Sequence, residues 1–254
     1  ETSAYWKHNN ITKSIEYTPI MFYKLVSFVL LGTVAAHSGP IWGHGEDWVN
    51  AKLEKNTTAP ATCILGTQNG CSTSVCSGLT SQIVSKLESM GYDFKSLDSS
   101  WIHCSSPCVN QLQASAADAL KSAAMSKNDY ITLNSAFRSS AQQYLLYNWY
   151  NKGICGIGLA ATPGTSNHEG GRAIDTSYYD YWLSTLQSYG WVHSYPSSDP
   201  VHFDYTAAKD IAQQNLIAFQ KLWNSNNPSN TIAEDGIYGP DTSNALYNSP
   251  CDGW

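Results

Sequence analysis

His168 and Asp175 stand seven positions apart in the stretch SNHEGGRAID, residues 166–175, with Gly170 and Gly171 between them. An imidazole and a carboxylate offer one nitrogen and one oxygen to a divalent cation, provided the chain between them folds back. A metalloprotease helix of the HExxH type would need a second histidine four residues after the first. Position 172 is arginine, and paired glycines break a helix, so that arrangement is excluded.

A turn followed by a strand suits the pair better, with His168 on the glycine-rich turn and Asp175 near the strand's end. The third group then comes from a neighbouring strand. SSDPVHFDY, residues 197–205, places His202 at the centre of a short β-like run. Two histidines and an aspartate suit one catalytic zinc ion per chain, which keeps a fourth position for water and lowers its pKa towards about 7. Amide hydrolysis also needs a proton shuttle, and Asp199, just before the Pro200 turn, is placed for it. Arg138 in SAFRSSAQQ, at a strand-to-helix junction, is the cation for an oxyanion or a substrate carboxylate. Each residue taken singly has a plainer use. Asp175 could bond a neighbouring turn, and a lone histidine more often serves structure. His193 is read as a supporting or surface residue, and His103 as a loop residue beside Cys104.

The residues together carry a resemblance. S-x-H-x-x-G-x-A-x-D is met at Ser166, His168, Gly171, Ala173 and Asp175; E/D-x-x-H at Asp199 and His202; R-S-x-x-x-Q at Arg138, Ser139 and Gln143. In this order they resemble the zinc D-Ala-D-Ala carboxypeptidases, a group that includes vancomycin-resistance carboxypeptidases and dipeptidases and certain phage endolysins. The resemblance implies that His168, Asp175 and His202 bind zinc and that Asp199 is general base and acid. It also implies that Arg138 stabilises the transition state, that Ser166 lies against the substrate's terminal carboxylate, and that Gln143 belongs to the substrate-binding set. Two positions depart from the pattern. Asp199 stands where many members have glutamate, and Val201 where tryptophan often precedes the last histidine.

These groups need elements to hold them. LTSQIVSKLESMGY has apolar residues at helical spacing and stops at Gly91, and VNQLQASAADALKSAAMSKND is an alanine-rich helix ending near Asn128. YITLNSAF alternates as a strand does, and SSAQQYLLYNWYNKG is a helix opened by serine and closed by glycine. GRAIDTSY and VHFDY are strands around a helix, YYDYWLSTLQSYG. The expected fold is α+β: a small antiparallel sheet flanked by helices and carrying the His/Asp/His site. Its expected extent is residues 79–206. Residues 210–254 form a short helical C-terminal unit. There F-Q, D-G, Y-G-P and T-x-x-A-L, at Phe219, Asp235, Tyr238 and Thr242, resemble part of a peptidoglycan-binding domain.

At 254 residues the chain can bury one sizeable core. Its formal net charge of −6 and the lack of a basic run exclude nucleic acid as a partner. Residues 21–36, with Lys24, an apolar run and small residues at Val34 and Ala36, are read as a secretory signal too short to span a membrane. Residues 1–20 are set aside as an upstream extension. Seven cysteines without C-x-x-C spacing point to disulfides in an oxidising compartment, beginning in a cysteine-rich segment at 37–78. Asn56 opens a glycosylation sequon. The expected protein is a secreted monomer, free of membrane after signal cleavage, that hydrolyses peptidoglycan stem peptides as a D-Ala-D-Ala carboxypeptidase. The alternatives are an endopeptidase of the same fold, cutting cross-links or L-Ala-D-Glu bonds, and a non-catalytic cell-wall-binding protein.

Overall fold

The computed structural model describes residues 70–254. The signal segment, the extension, the sequon at Asn56 and Cys63 lie outside the described residues. A 3-10 turn, Thr73–Cys76, runs into helix α1 (Ser77–Ser89). Strands β1 (Phe94–Ser96), β2 (Ile102–Cys104) and β3 (Gln111–Gln113) follow, then α2 (Ala114–Lys127), β4 (Ile131–Leu133) and α3 (Ser140–Asn151). Next come β5 (Ala173–Asp175), α4 (Tyr179–Ser188), β6 (Trp191–Val192) and β7 (His202–Tyr205). Helices α5 (Ala212–Asn226) and α6 (Pro240–Asn248) complete the order.

The fold is α+β, as expected. Its three-stranded sheet has the order β5-β7-β6, antiparallel throughout. Two further pairs, β1-β3 antiparallel and β2-β4 parallel, were not anticipated. Strands of two or three residues are too short for a period of two to register in sequence. For the same reason VNQLQ, read as the start of a helix, contains strand β3 before α2 begins at Ala114.

Two hydrophobic clusters hold these elements. One gathers Leu79, Ile83 and Leu87 of α1 with Tyr144 and Trp149 of α3, Phe219 and Trp223 of α5, and Leu246 of α6. The other packs Ile174, Trp191 and Phe203 of the sheet against Leu120 of α2 and Trp182 of α4. Consecutive residues Ala136 and Phe137 enter different clusters. The segment before α3 is therefore wedged between the two cores.

The C-terminal residues share a core with α1 and α3. Gln220, fully buried, knits their turn. Its amide nitrogen donates to Asp235 and Thr242, and its amide oxygen accepts from the Gly236 N–H at 2.8 Å. The F-Q, D-G and T elements of the tail thus bond one another and form its internal scaffold.

Disulfides join Cys71 to Cys155 and Cys104 to Cys108. Cys76 and Cys251 are buried outside these two bridges, and burial pushes the Cys76 thiol up to about 12. Among the described residues no helix is long and apolar enough to cross a membrane.

Candidate metal centre

In β5 and β7 alternate side chains face opposite sides. Ile174 and Phe203 go inward to the core with α2 and α4, so Asp175, His202 and Asp204 share the other face. The antiparallel register sets Asp175 opposite His202. His202 is the first residue of its strand rather than the central one.

His168 comes to the same point from the turn that precedes β5. That turn closes with the Gly171 N–H donating to the His168 carbonyl at 3.0 Å. Gly171 has φ of +62°, and a Cβ there would lie 2.6 Å from the ring of Phe94. Only glycine fits, on backbone angle and on space alike.

His168, Asp175 and His202 offer ligand atoms that all lie within 4.8 Å of one another. Their hydrogen bonds show which atoms are available. His168 Nδ1 lies 2.8 Å from the Ala136 carbonyl, which can only accept, so Nδ1 carries the proton. Burial lowers the His168 pKa, against the opposing pull of Asp175, and favours the neutral ring. Its Nε2 lone pair then faces Asp175 Oδ1 at 3.2 Å with no proton between them. Two acceptors at that distance repel unless a cation joins them. His202 presents Nδ1 to the same oxygen at 3.1 Å, while its Nε2 is held by Asp204 Oδ1 at 2.8 Å. Two imidazole nitrogens thus converge on one carboxylate oxygen, each ring fixed from behind by a carbonyl or a carboxylate. That is the support given to metal-ligating histidines. The residues present fit a divalent cation.

The charges agree. Burial by itself would raise Asp175, but the neighbouring positive charges, Arg138 and the protonated His202 ring, hold its carboxyl well below the usual carboxylate range. Burial would lower His202, but its bonds to Asp175 and Asp204 prevail and push it up to about 9.

Residues 107–189 match the VanY family, D-alanyl-D-alanine carboxypeptidase. No curated protein matches the chain. The VanY match contains Arg138, Ser166, His168 and Asp175 and stops before Asp199 and His202. Pairing of β5 with β7 brings His202 to the VanY segment.

Arg138 stands just ahead of α3, whose capping box is closed by Ser139 and Gln142. Its guanidinium donates to Ser135 Oγ and to Gln143 Oε1, both at 3.0 Å, and lies 3.9 Å from Asp175 Oδ2. Gln143 is fully buried, and its amide nitrogen donates to the Ala161 carbonyl. Expected in the substrate-binding set, it ties Arg138 to the loop at Ala161. Ser166 is buried within the turn, and its N–H donates to Glu169. Asp199, half-buried, lies at the end of the 195–199 turn, where its N–H donates to the Tyr195 carbonyl. Burial and the Asp175 charge raise its pKa, against His202, His168 and Arg138. His193 stacks on Phe203 and bonds the Pro200 carbonyl, a supporting position as expected.

Sequence reasoning missed two carboxylates. Asp204, two residues beyond His202 on the same strand face, was reachable from the period of two. It also accepts from Asn167 Nδ2 and from Ser194 Oγ. Glu169, fully buried, accepts from the backbone N–H groups of Gly164 and Ser166. Burial pushes its carboxyl up to about 8, opposed by those donors and by Arg138. Nothing local in NHEGG distinguishes it from a surface glutamate.

Proposed function

We propose that this protein is a secreted zinc peptidase that removes the terminal residue of peptidoglycan stem peptides ending in D-Ala-D-Ala. The observation that carries the reading is the convergence of His168 Nε2 and His202 Nδ1 on Asp175 Oδ1, joined to the VanY match over the segment that holds Arg138. Disulfides among the described residues agree with export to an oxidising compartment.

His168, Asp175 and His202 would hold zinc. When bound, zinc supplies a Lewis acid that polarises the scissile carbonyl and eases ionisation of water near neutral pH. Asp199 takes the proton of the attacking water and returns it to the leaving amine. Arg138, fixed by Ser135 and Gln143, offsets the negative charge that grows on the carbonyl oxygen. Ser166, in the buried turn, bounds the pocket for the peptide's terminal carboxylate.

The test is digestion of purified stem peptides and whole peptidoglycan, followed by mass spectrometry before and after chelation. Release of terminal alanine that stops on chelation and resumes with added zinc is the expected result. Scission inside the stem would reassign the protein as an endopeptidase, and retention on cell walls without any product would make it a binding protein.

A second expectation concerns protons. Below about pH 9 the His202 ring of the metal-free protein is an imidazolium, and Nδ1 must lose its proton before it can ligate. Zinc binding near pH 7 should therefore release about one proton per ion, and affinity should fall about tenfold for each unit of pH decrease. Calorimetry in buffers of different ionisation enthalpy measures this directly. Uptake with no proton release would take His202 Nδ1 out of the ligand set.

A further inference from the structure

We propose that Asn215, on α5, is a positioning residue for the reaction: it clamps the end of the segment bearing Arg138 to the turn bearing His168. The proposal rests on the role given above to Arg138. Asn215 lies beyond the last candidate ligand and outside the segment matched to VanY.

Its side chain is fully buried and almost completely used. The amide nitrogen donates to the Arg138 carbonyl and to the Glu169 carbonyl, each at 3.0 Å. An amide has two N–H groups, so each carbonyl receives its own proton. The amide oxygen accepts from the Ser140 N–H, in the first turn of α3, at 2.9 Å. One side chain thus joins the residue that carries the guanidinium, the helix that follows it, and the neighbour of a candidate ligand.

The surroundings extend the clamp. The Arg138 N–H donates to the His168 carbonyl at 3.1 Å, so both backbone groups of Arg138 are tied to the turn, one directly and one through Asn215. The Glu169 carboxyl binds the N–H groups of Gly164 and Ser166, which carries the same constraint into the loop that holds Ser166. Leu216, the next residue of α5, packs against Gly164. Without Asn215, two buried carbonyls and one N–H lose their partners, and the Arg138 segment is free to move relative to the turn. Displacement of a catalytic group by about 1 Å can cost about 100-fold in rate.

The test uses the full chain with Asn215→Asp and Asn215→Ala. Leu246→Ala, a cavity in the same hydrophobic cluster but on α6, serves as the control for stability. Aspartate keeps the shape and the acceptor for Ser140 while losing the pair of N–H donors. Turnover and KM on a peptide ending in D-Ala-D-Ala, zinc affinity by chelator competition, and melting temperature are measured for each. The expected result for both Asn215 variants is a kcat about 10- to 100-fold lower with KM within about threefold. Zinc binding should also weaken by about tenfold, the lower end of the range for outer partners of a metal site. Leu246→Ala should melt lower yet keep kcat and zinc affinity at a temperature where it is folded. Wild-type kcat and zinc affinity in Asn215→Asp overturn the proposal, as does a control that loses kcat alongside its stability. Failure of both Asn215 variants to fold also overturns it, because the residue is then structural first. Should the wild type hydrolyse no such peptide, the proposed function fails, and zinc affinity alone decides the role of Asn215.

Discussion

Substitution of His202 by alanine is expected to abolish metal retention and peptide cleavage together. The imidazole is gripped from two sides, by Asp175 Oδ1 at 3.1 Å and Asp204 Oδ1 at 2.8 Å. Its removal deletes one of three candidate ligands and leaves two carboxylates facing each other across the gap. Loss of an outer partner alone typically weakens a metal site by about 10- to 100-fold, so loss of a ligand should exceed about 100-fold. His168→Ala should behave alike, since it removes the other imidazole nitrogen and leaves the Ala136 carbonyl without its donor. Metal content by atomic emission and cleavage by product mass check both variants. Full activity in either would dissolve the site. Asp204→Asn is the informative companion: the ring keeps a neighbour but loses its anionic support, and metal affinity should fall by about 10- to 100-fold.

Asp199→Asn separates binding from chemistry. Asp199 interacts electrostatically with Asp175, His202, His168 and Arg138, yet it stands outside the group of converging ligand atoms. The amide retains size and polarity but cannot take a proton, so metal content should stay near one per chain while kcat falls by about 10²- to 10⁴-fold. The pH profile supplies an independent sign. A base must be ionised to act, so activity is lost as pH falls through the pKa of Asp199. Burial and the Asp175 charge raise that pKa in the metal-free protein, whereas bound zinc would pull it the other way. In the asparagine variant this acid limb should vanish from whatever activity remains when zinc is kept high enough to fill the site. Loss of metal in Asp199→Asn would make the carboxylate a ligand instead of a base.

Much of the centre was legible because it is written locally. The turn-and-strand stretch 166–175 carries two candidate ligands and the one glycine that its backbone requires, and the alternation in HFDY separates His202 from the core-facing Phe203. The helices were readable for the same reason, since apolar residues recur along one face of each. What stayed hidden depends on distant partners. Gln143 entered only through the resemblance, and only the fold shows both ends of its amide engaged. Asn215 sits in an ordinary amphipathic helix, and nothing in NLIAFQ announces bonds to residues 138, 140 and 169. Strands β1, β2 and β6 exist because neighbours recruit them, and tertiary recruitment has no periodic signature.

The packing of α1 against α5 has a consequence for biosynthesis. Leu79, Ile83 and Leu87 leave the ribosome early, whereas the face that covers them is made only after residue 212. A nascent chain that has just cleared Tyr205 already owns both imidazoles and the carboxylate, yet α1 still lacks the α5 half of its cover. Maturation of the protein is thereby tied to the final stretch of translation.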